Sequence, residues 1–375
     1  MRQISRFKSF FAVTAIVLSG CASPPQGDTP YQPTADMLAV LTAQAGLGAK
    51  PTEDLTPAQA RANPSVADAV LKVEQQRGMS TAPMPAMVQD IQVQGAAGLL
   101  PARVYRPAAA ATGPLPVILY FHGGGWVIST IDTYDSSARA LANGAGAIVV
   151  SVEYRKGPED RFPAAHDDAI AAYRFVLEHT EPLGGDPRRI AVAGESAGGN
   201  MAFDVSLAAR DQKLPMPVHE LLVYPVASTD LTLPSVQENA RAKPLGKATL
   251  QWFVKYYGRG PEDTADTRLN LLGVANLQGL PPTTIILAQI DPLRSGGEML
   301  GERLKAVGVP TETRLYPGVT HEFFGTGAVV PEGKAAVDFA SERLRQSFAA
   351  VPAAPAMAEP TRRGRPMRAN TTRDR

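Results

Sequence analysis

The chain has 375 residues, of which 44% are hydrophobic and 19% charged, and its formal net charge is +1. That is room for one large domain or two ordinary ones with a sizeable core, and it excludes wholesale disorder. A charge so near zero gives no electrostatic ground for a nucleic-acid partner, and 33 Gly and 33 Pro without a period argue against a repeat protein.

The N-terminus carries a basic start, Arg2, Arg6 and Lys8, then a mostly apolar run from Phe10 to Leu18 that is far too short to span a bilayer. Leu18-Ser19-Gly20-Cys21 resembles the bacterial lipobox, in which a lipidated cysteine becomes the first residue of the mature protein. The expectation is a signal peptide over 1–20, a lipid anchor on Cys21 and a location in the bacterial cell envelope, tethered to a membrane. A plain signal peptide with a free cysteine is the simpler alternative. Cys21 is the single cysteine, so no intramolecular disulfide can form.

Residues 21–33 read as a linker. Helical spacing then begins at Thr34, a plausible cap, and runs to about Leu47 through Met37, Leu38, Val40 and Leu41. Thr56-Pro57 opens a short helix with proline at its first position, and Ser65–Arg77 forms another, stopped by Gly78. From Met87 the period changes. Val88–Val93 and Ala102–Tyr105 read as a strand pair joined through Gly95 and Gly98.

An alternation of strands and helices follows. Strands are expected at Pro116–Phe121, Ala147–Tyr154, Arg189–Ala193, Leu221–Tyr224, Thr283–Ile290 and Thr311–Tyr316. Helices are expected at Ser136–Gly144, Ala164–His179, Ala197–Arg210, around Glu298–Val307 and at Glu332–Phe348. Continuous apolar strands separated by helices imply an α/β fold, a mostly parallel sheet covered on both faces. One stretch breaks the rhythm, from Tyr224 to Thr283, where a single crossover helix would suffice. Its Gln251-Trp252-Phe253 and Tyr256-Tyr257 can roof a pocket or form the small core of a surface insertion. Beyond Ala349 the chain turns to Ala, Pro and Arg without apolar periodicity, and 349–375 reads as a disordered tail.

The chemistry gathers at a few positions. Gly194-Glu195-Ser196-Ala197-Gly198 fits the GxSxG elbow, in which small flanking residues let a strand turn sharply into a helix and expose a strained serine. Roughly 0.1 such matches are expected by chance in a chain of this length, given the usual share of Gly and Ser. Here the pattern stands between an apolar strand and a helix, the context it requires, which marks Ser196 as the nucleophile. His122-Gly123-Gly124-Gly125 follows another strand, and its uncovered N–H groups suit an oxyanion. Gly123, Gly124 and Ala197 are the expected donors. A phosphate loop is the rival reading, but the dinucleotide spacing and its downstream acid are missing.

The base follows by elimination among five histidines. Only His219 and His321 come after the serine, as the chain order of such sites requires, and His219 opens an apolar strand with no acid placed before it. His321 lies in a loop after the last strand. Asp291 ends the strand before that and is the expected acid, holding the imidazole in its working tautomer. Asp230, Asp263 and Asp266 are rivals if the long insertion folds back.

Taken together, His122-Gly123-Gly124-Gly125-Trp126, Gly194-Glu195-Ser196-Ala197-Gly198-Gly199, Asp291-Pro292-Leu293-Arg294 and His321-Glu322-Phe323 resemble the bacterial hormone-sensitive-lipase-like esterases, family IV, over roughly Asp54 to Phe348. The resemblance implies an α/β-hydrolase fold over 34–348, an eight-stranded sheet with a helical cap drawn from about 34–86 and 228–275. It also implies hydrolysis of small esters with short to medium acyl chains by a Ser-His-Asp acyl-enzyme route, with no cofactor or metal, and Trp126 at the substrate. Three places depart from the family pattern. Glu195 stands for the usual Asp, Glu322 for the Gly after the base, and Ser295-Gly296-Gly297 for Asp-Glu-Gly. Tyr154-Arg155-Lys156-Gly157-Pro158-Glu159 also differs, from Tyr-Arg-Leu-Ala-Pro-Glu.

The main expectation is therefore a membrane-tethered carboxylesterase. A polysaccharide deacetylase or a lactone or amide hydrolase would use the same site, and a catalytically dead binding protein would use the same scaffold. The sequence sets no oligomeric state.

Overall fold

The computed structural model describes residues 29–109 and 113–352. The expected signal peptide, Cys21 and the tail beyond residue 352 lie outside the described residues. Eight strands form one sheet: β1 (Ala86–Gln94), β2 (Leu99–Pro107), β3 (Leu115–Phe121), β4 (Ile148–Val152), β5 (Gly185–Glu195), β6 (Glu220–Val223), β7 (Thr283–Ile290) and β8 (Thr311–Thr320). Their order is β1-β2-β4-β3-β5-β6-β7-β8. The first pair is an antiparallel hairpin closed by Gly95 N–H donating to Gly98 O, and β2 runs antiparallel to β4. From β4 to β8 every pairing is parallel.

The parallel strands are apolar throughout because both faces are covered. In β3, Val117, Leu119 and Phe121 enter one core and Ile118 and Tyr120 the other, the period-two alternation of a strand. The ten α-helices among the described residues are α1 (Ala35–Gly46), α2 (Pro57–Arg61), α3 (Val66–Gln76), α4 (Asp135–Ala145), α5 (Ala164–His179), α6 (Ala197–Asp211), α7 (Pro234–Glu238), α8 (Lys247–Tyr257), α9 (Arg294–Ala306) and α10 (Pro331–Ala350). Residues of α5, α6 and α9 fill the first core; those of α1, α3, α4 and α10 fill the second.

The N-terminal helices are sharply bounded. Thr34 Oγ1 caps α1, and α2 and α3 both open with capping boxes, Thr56 with Gln59 and Ser65 with Asp68. They meet the long insertion across two bonds. Thr249 of α8 donates to Glu53 Oε2 at 2.8 Å, and the indole N–H of Trp252 donates to Leu55 O at 2.8 Å. The two segments thus form one cover over the carboxyl edge of the parallel strands, where ligands bind in such sheets.

Several boundaries differ from expectation: β5 is longer, Gly185–Glu195, α9 starts at Arg294, and three other differences involve packing or the site. Residues 29–33 are no free linker: Thr29 Oγ1 bonds Asn239 Oδ1 at 2.8 Å, and the Tyr31 ring lies under the guanidinium of Arg294. Strand β8 continues to Thr320 past an irregularity in its pairing with β7, so it delivers His321 directly. Helix α10 carries on to Ala350, two residues into the stretch expected to be tail.

Candidate active site

Ser196 stands at φ 58°, ψ −117° between β5 and α6, a backbone region that L residues rarely occupy. Space decides its neighbours. A Cβ on Gly194 would lie 2.1 Å from Gly198 O, and one on Gly198 would lie 2.0 Å from Phe121 O. Strand and helix therefore close on each other only with glycine at both places. Ser196 N–H donates to Val223 O at 2.9 Å, which pins the elbow to β6.

His321 follows β8 and Asp291 follows β7. The imidazole Nε2 is 2.9 Å from Ser196 Oγ, and Nδ1 is 2.7 Å from Asp291 Oδ2. The second carboxylate oxygen, Oδ1, accepts from Leu293 N–H at 2.8 Å, so Asp291 is oriented by its own loop. Burial opposes a charge on His321, yet the charge and hydrogen bond of Asp291, with Glu322 and Glu195 beyond, hold its pKa above the ordinary imidazole value. A base in contact with a hydroxyl and an acid behind the base can take and return one proton.

The rival acids are occupied elsewhere. Asp230 accepts from Thr232, Asp263 pairs with Arg259, and Asp266 pairs with Arg268. His219 lies fully buried between Thr284 Oγ1 and Ser347 Oγ at 3.0 and 2.9 Å, at the far end of the strands from Ser196.

The glycine run after β3 curls beside the serine, with φ of +101° at Gly124 and +57° at Gly125. Among the described residues, no backbone carbonyl accepts from the N–H of Gly123, Gly124 or Ala197. The carbonyls of this loop are drawn the other way. Tyr154 Oη donates to His122 O at 2.9 Å and lies 3.2 Å from Gly123 O. Lys156, which departs from the family pattern, braces the continuation of the loop. Its ammonium donates to Ser129 O at 2.6 Å and pairs with Glu153, whose other oxygen accepts from Ile131 N–H.

Two cavities meet at Ser196. One, of about 50 Å³, is mainly apolar and bounded by Val226, Leu231, Leu245, Phe253 and Leu293. Trp126 borders it, stacked on Tyr257 with ring centroids 5.0 Å apart. The other, of about 90 Å³, is part apolar and part polar, its polar groups including Gln44, Thr52, Arg61 and Asn63 from the N-terminal segment, together with His321 and Glu322. Phe253 is common to both. The aromatic cluster thus divides its work: Phe253 walls the site, whereas Trp252 ties the two halves of the cover together.

Two other departures also find partners. Ser295 and Ser235 bond reciprocally, each backbone N–H donating to the other hydroxyl at 3.1 and 2.9 Å, which fastens α7 to the loop of Asp291. Glu322 sits at φ 67°, in the left-handed region that favours glycine. Tyr134 and Tyr224, which no motif includes, pack behind the site. The Tyr224 ring centroid is 4.5 Å from that of His321, and Tyr134 lies directly under Gly123, where an added Cβ would fall 2.3 Å from its hydroxyl. Their neighbours in the sequence carry no signal for this; only the folded loops bring them in.

Comparison with known proteins shows the family and the fold. The family described as alpha/beta hydrolase fold matches residues 118–325. Carboxylesterase NlhH of Mycobacterium tuberculosis is 46% identical over 235 residues, covering 62% of this chain and 73% of that protein. Esterase LipI of the same organism is 42% identical over 265 residues, covering 69% and 81%. Among solved structures, an ester-hydrolase from the metagenome of Lake Arreo, complexed with a derivative of bipyridine phosphonate, superposes with a TM-score of 0.76 at 36% identity. That match covers 85% of this chain and all of the other.

Proposed function

Because the chain belongs to the α/β-hydrolase fold family, within its hormone-sensitive-lipase-like esterases, and is a carboxylic ester hydrolase, we propose that Ser196, His321 and Asp291 are its catalytic triad. The supporting observation is the unbroken hydrogen-bonded line Ser196–His321–Asp291 at the strained elbow. Ser196 Oγ attacks the acyl carbon while His321 Nε2 takes its proton. The tetrahedral oxyanion is met by the N–H groups of Gly123, Gly124 and Ala197, an effect worth about 3 kcal/mol per donor in such sites. His321 then gives the proton to the leaving alcohol. Water, activated by the same imidazole, releases the acid and restores the serine.

The acyl group occupies the apolar cavity beside Trp126. At about 50 Å³ it is smaller than the cavities of about 150 Å³ that hold a benzene ring, so short acyl chains fit best. The alcohol portion faces the larger, partly polar cavity bordered by Arg61 and Asn63. Turnover of p-nitrophenyl esters of increasing acyl length tests the assignment. Acetate and butyrate are expected to be best, with activity abolished in Ser196→Ala; a Ser196→Ala protein that retains wild-type turnover would overturn it. The deacetylase, lactonase, amidase and binding-protein readings have no similar protein above to favour them.

The leader supports a second proposal, that Cys21 is lipidated and the enzyme is tethered in the bacterial cell envelope. Its ground is the run Leu18-Ser19-Gly20-Cys21 after a basic and apolar start. Incorporation of a labelled fatty acid by the full chain, lost in Cys21→Ala, is the expected outcome; equal labelling of both would contradict it.

A further inference from the structure

Glu195 and Glu322 both depart from the family pattern, and the fold brings them to the same place. Glu195 ends β5 just before the serine and is 1% exposed. It accepts from Tyr120 Oη at 2.5 Å and from Tyr224 Oη. Glu322 follows His321 in the chain, and its Oε1 lies 3.3 Å from Tyr134 Oη. Both glutamates line one cavity of about 20 Å³, bordered by Val66, Val70, Tyr134 and Ser137. That is room for a single water. Among the described residues no lysine or arginine lines this cavity, so the two carboxylates share it without a counter-ion from them.

Buried like charges cannot both ionise freely. Burial raises the pKa of Glu195 and of Glu322, opposed by the tyrosine hydroxyls at Glu195 and by the His321 charge and Tyr134 at Glu322. The groups that face His321 are Asp291 from the end of β7, Glu322 beside it, Glu195 from the end of β5 and the Tyr224 ring from the end of β6. Of these carboxylates, Asp291 is the one hydrogen-bonded to the imidazole. The other two carboxylates act at longer range, through a medium that screens them little.

We propose that Glu195 and Glu322, buttressed by Tyr120, Tyr134 and Tyr224, form a carboxylate pair behind the triad that sets the charge around His321 and thereby the pH range over which it serves as base. They are positioning residues that act through His321: Glu195 lies behind the elbow, and Glu322, beside His321, also borders the cavity assigned to the alcohol portion. Negative charge on the pair favours the imidazolium that forms as Ser196 attacks, adding to the part played by Asp291. Tyr134 connects the pair to the loop of Gly123, so the same group of residues supports both base and oxyanion loop. This rests on His321 being the base, as proposed above.

The test is titration of His321 by NMR in histidine-labelled protein, its signal assigned with His321→Asn, which requires no substrate. Glu322→Gln and Glu322→Lys change charge at the less buried member and leave the core intact. The His321 midpoint is expected to fall by about half a pH unit in Glu322→Gln and further in Glu322→Lys. The acid limb of kcat/KM on a short ester is expected to move with it, while KM stays within about twofold. Glu195→Gln should add to the Glu322→Gln shift, and Glu195→Asp should restore most of it. A His321 midpoint unmoved in both Glu322 variants overturns the proposal whatever the protein's activity. A midpoint that shifts in a protein without Ser196-dependent turnover would instead overturn the functional assignment and leave the electrostatic coupling standing.

Discussion

The ring of Phe253 lies against the α-carbon of Gly125, so close that an added Cβ would sit 2.2 Å from it. A residue of the cover therefore rests on the glycine run that is expected to bind the oxyanion, and the two are shaped together. Gly125→Ala would force the ring aside or displace the loop, at a backbone angle of φ +57° that already disfavours alanine. A fall in kcat/KM of about 100-fold is expected, the scale of losing one oxyanion donor. Adding Phe253→Ala should recover part of it. Steady-state kinetics on a short p-nitrophenyl ester decide the matter, and a Gly125→Ala enzyme as active as wild type would refute the contact's role.

Asp291→Asn keeps the shape of the acid but removes its charge and can fix the wrong tautomer of His321. In triads of this kind the loss in kcat is about 10⁴-fold. The expected result is a loss of at least about 10³-fold with a folded protein, read by kcat and by circular dichroism. A change of less than tenfold would mean that another carboxylate serves His321.

The pH dependence of kcat/KM reports the free base. Because the surrounding carboxylates raise the pKa of His321, the imidazole remains protonated, and unable to accept from Ser196, to a higher pH than an ordinary histidine. The acid limb is expected to have its midpoint above about 6.5. A midpoint below that value would show that burial, which acts in the opposite direction, prevails.

Stability has its own titrating group away from the site. Glu220 at the start of β6 is fully buried; one oxygen accepts from Thr283 at 2.8 Å, and among the described residues the other has no hydrogen-bond partner. Burial pushes its pKa up to about 8. The folded state thus holds a proton that the unfolded chain has released, and stability from this group, full below about pH 4.5, is lost as pH rises towards 8. Glu220→Gln removes the titration. Its melting temperature at pH 9 should exceed wild type by at least about 3 °C, with a smaller difference at pH 6. Equal melting curves at pH 9 would contradict the assignment.

Much of this was legible in the chain because local physics and tertiary structure agree there. Strand β7 and helix α5 have the expected bounds, since each is an uninterrupted pattern with clear stops. Ser196, Asp291 and His321 could be ordered because each stands just past a strand, and parallel strands bring their carboxyl ends to one edge. Strand β8 was harder: Pro317 and Gly318 look like a stop, yet the strand continues through an irregularity to Thr320. Residues 29–33 resemble a linker because polar and proline-rich chain can also pack, as Tyr31 does on Arg294. The division of labour between Trp252 and Phe253, and the placing of Tyr134 and Tyr224, depend on contacts between distant segments, for which adjacent residues carry no pattern. Glu195 and Glu322 were visible as departures from a motif, but that they share a cavity is a property of the fold.

Covalent labelling tests the central claim, that Ser196 is the nucleophile, most directly. The protein is treated with a fluorophosphonate, digested and read by mass spectrometry. One adduct per chain is expected, on the peptide that contains Ser196, with none in Ser196→Ala and a greatly slowed reaction in His321→Asn. An unlabelled wild type, or an adduct on any other serine that forms equally well in Ser196→Ala, would contradict it.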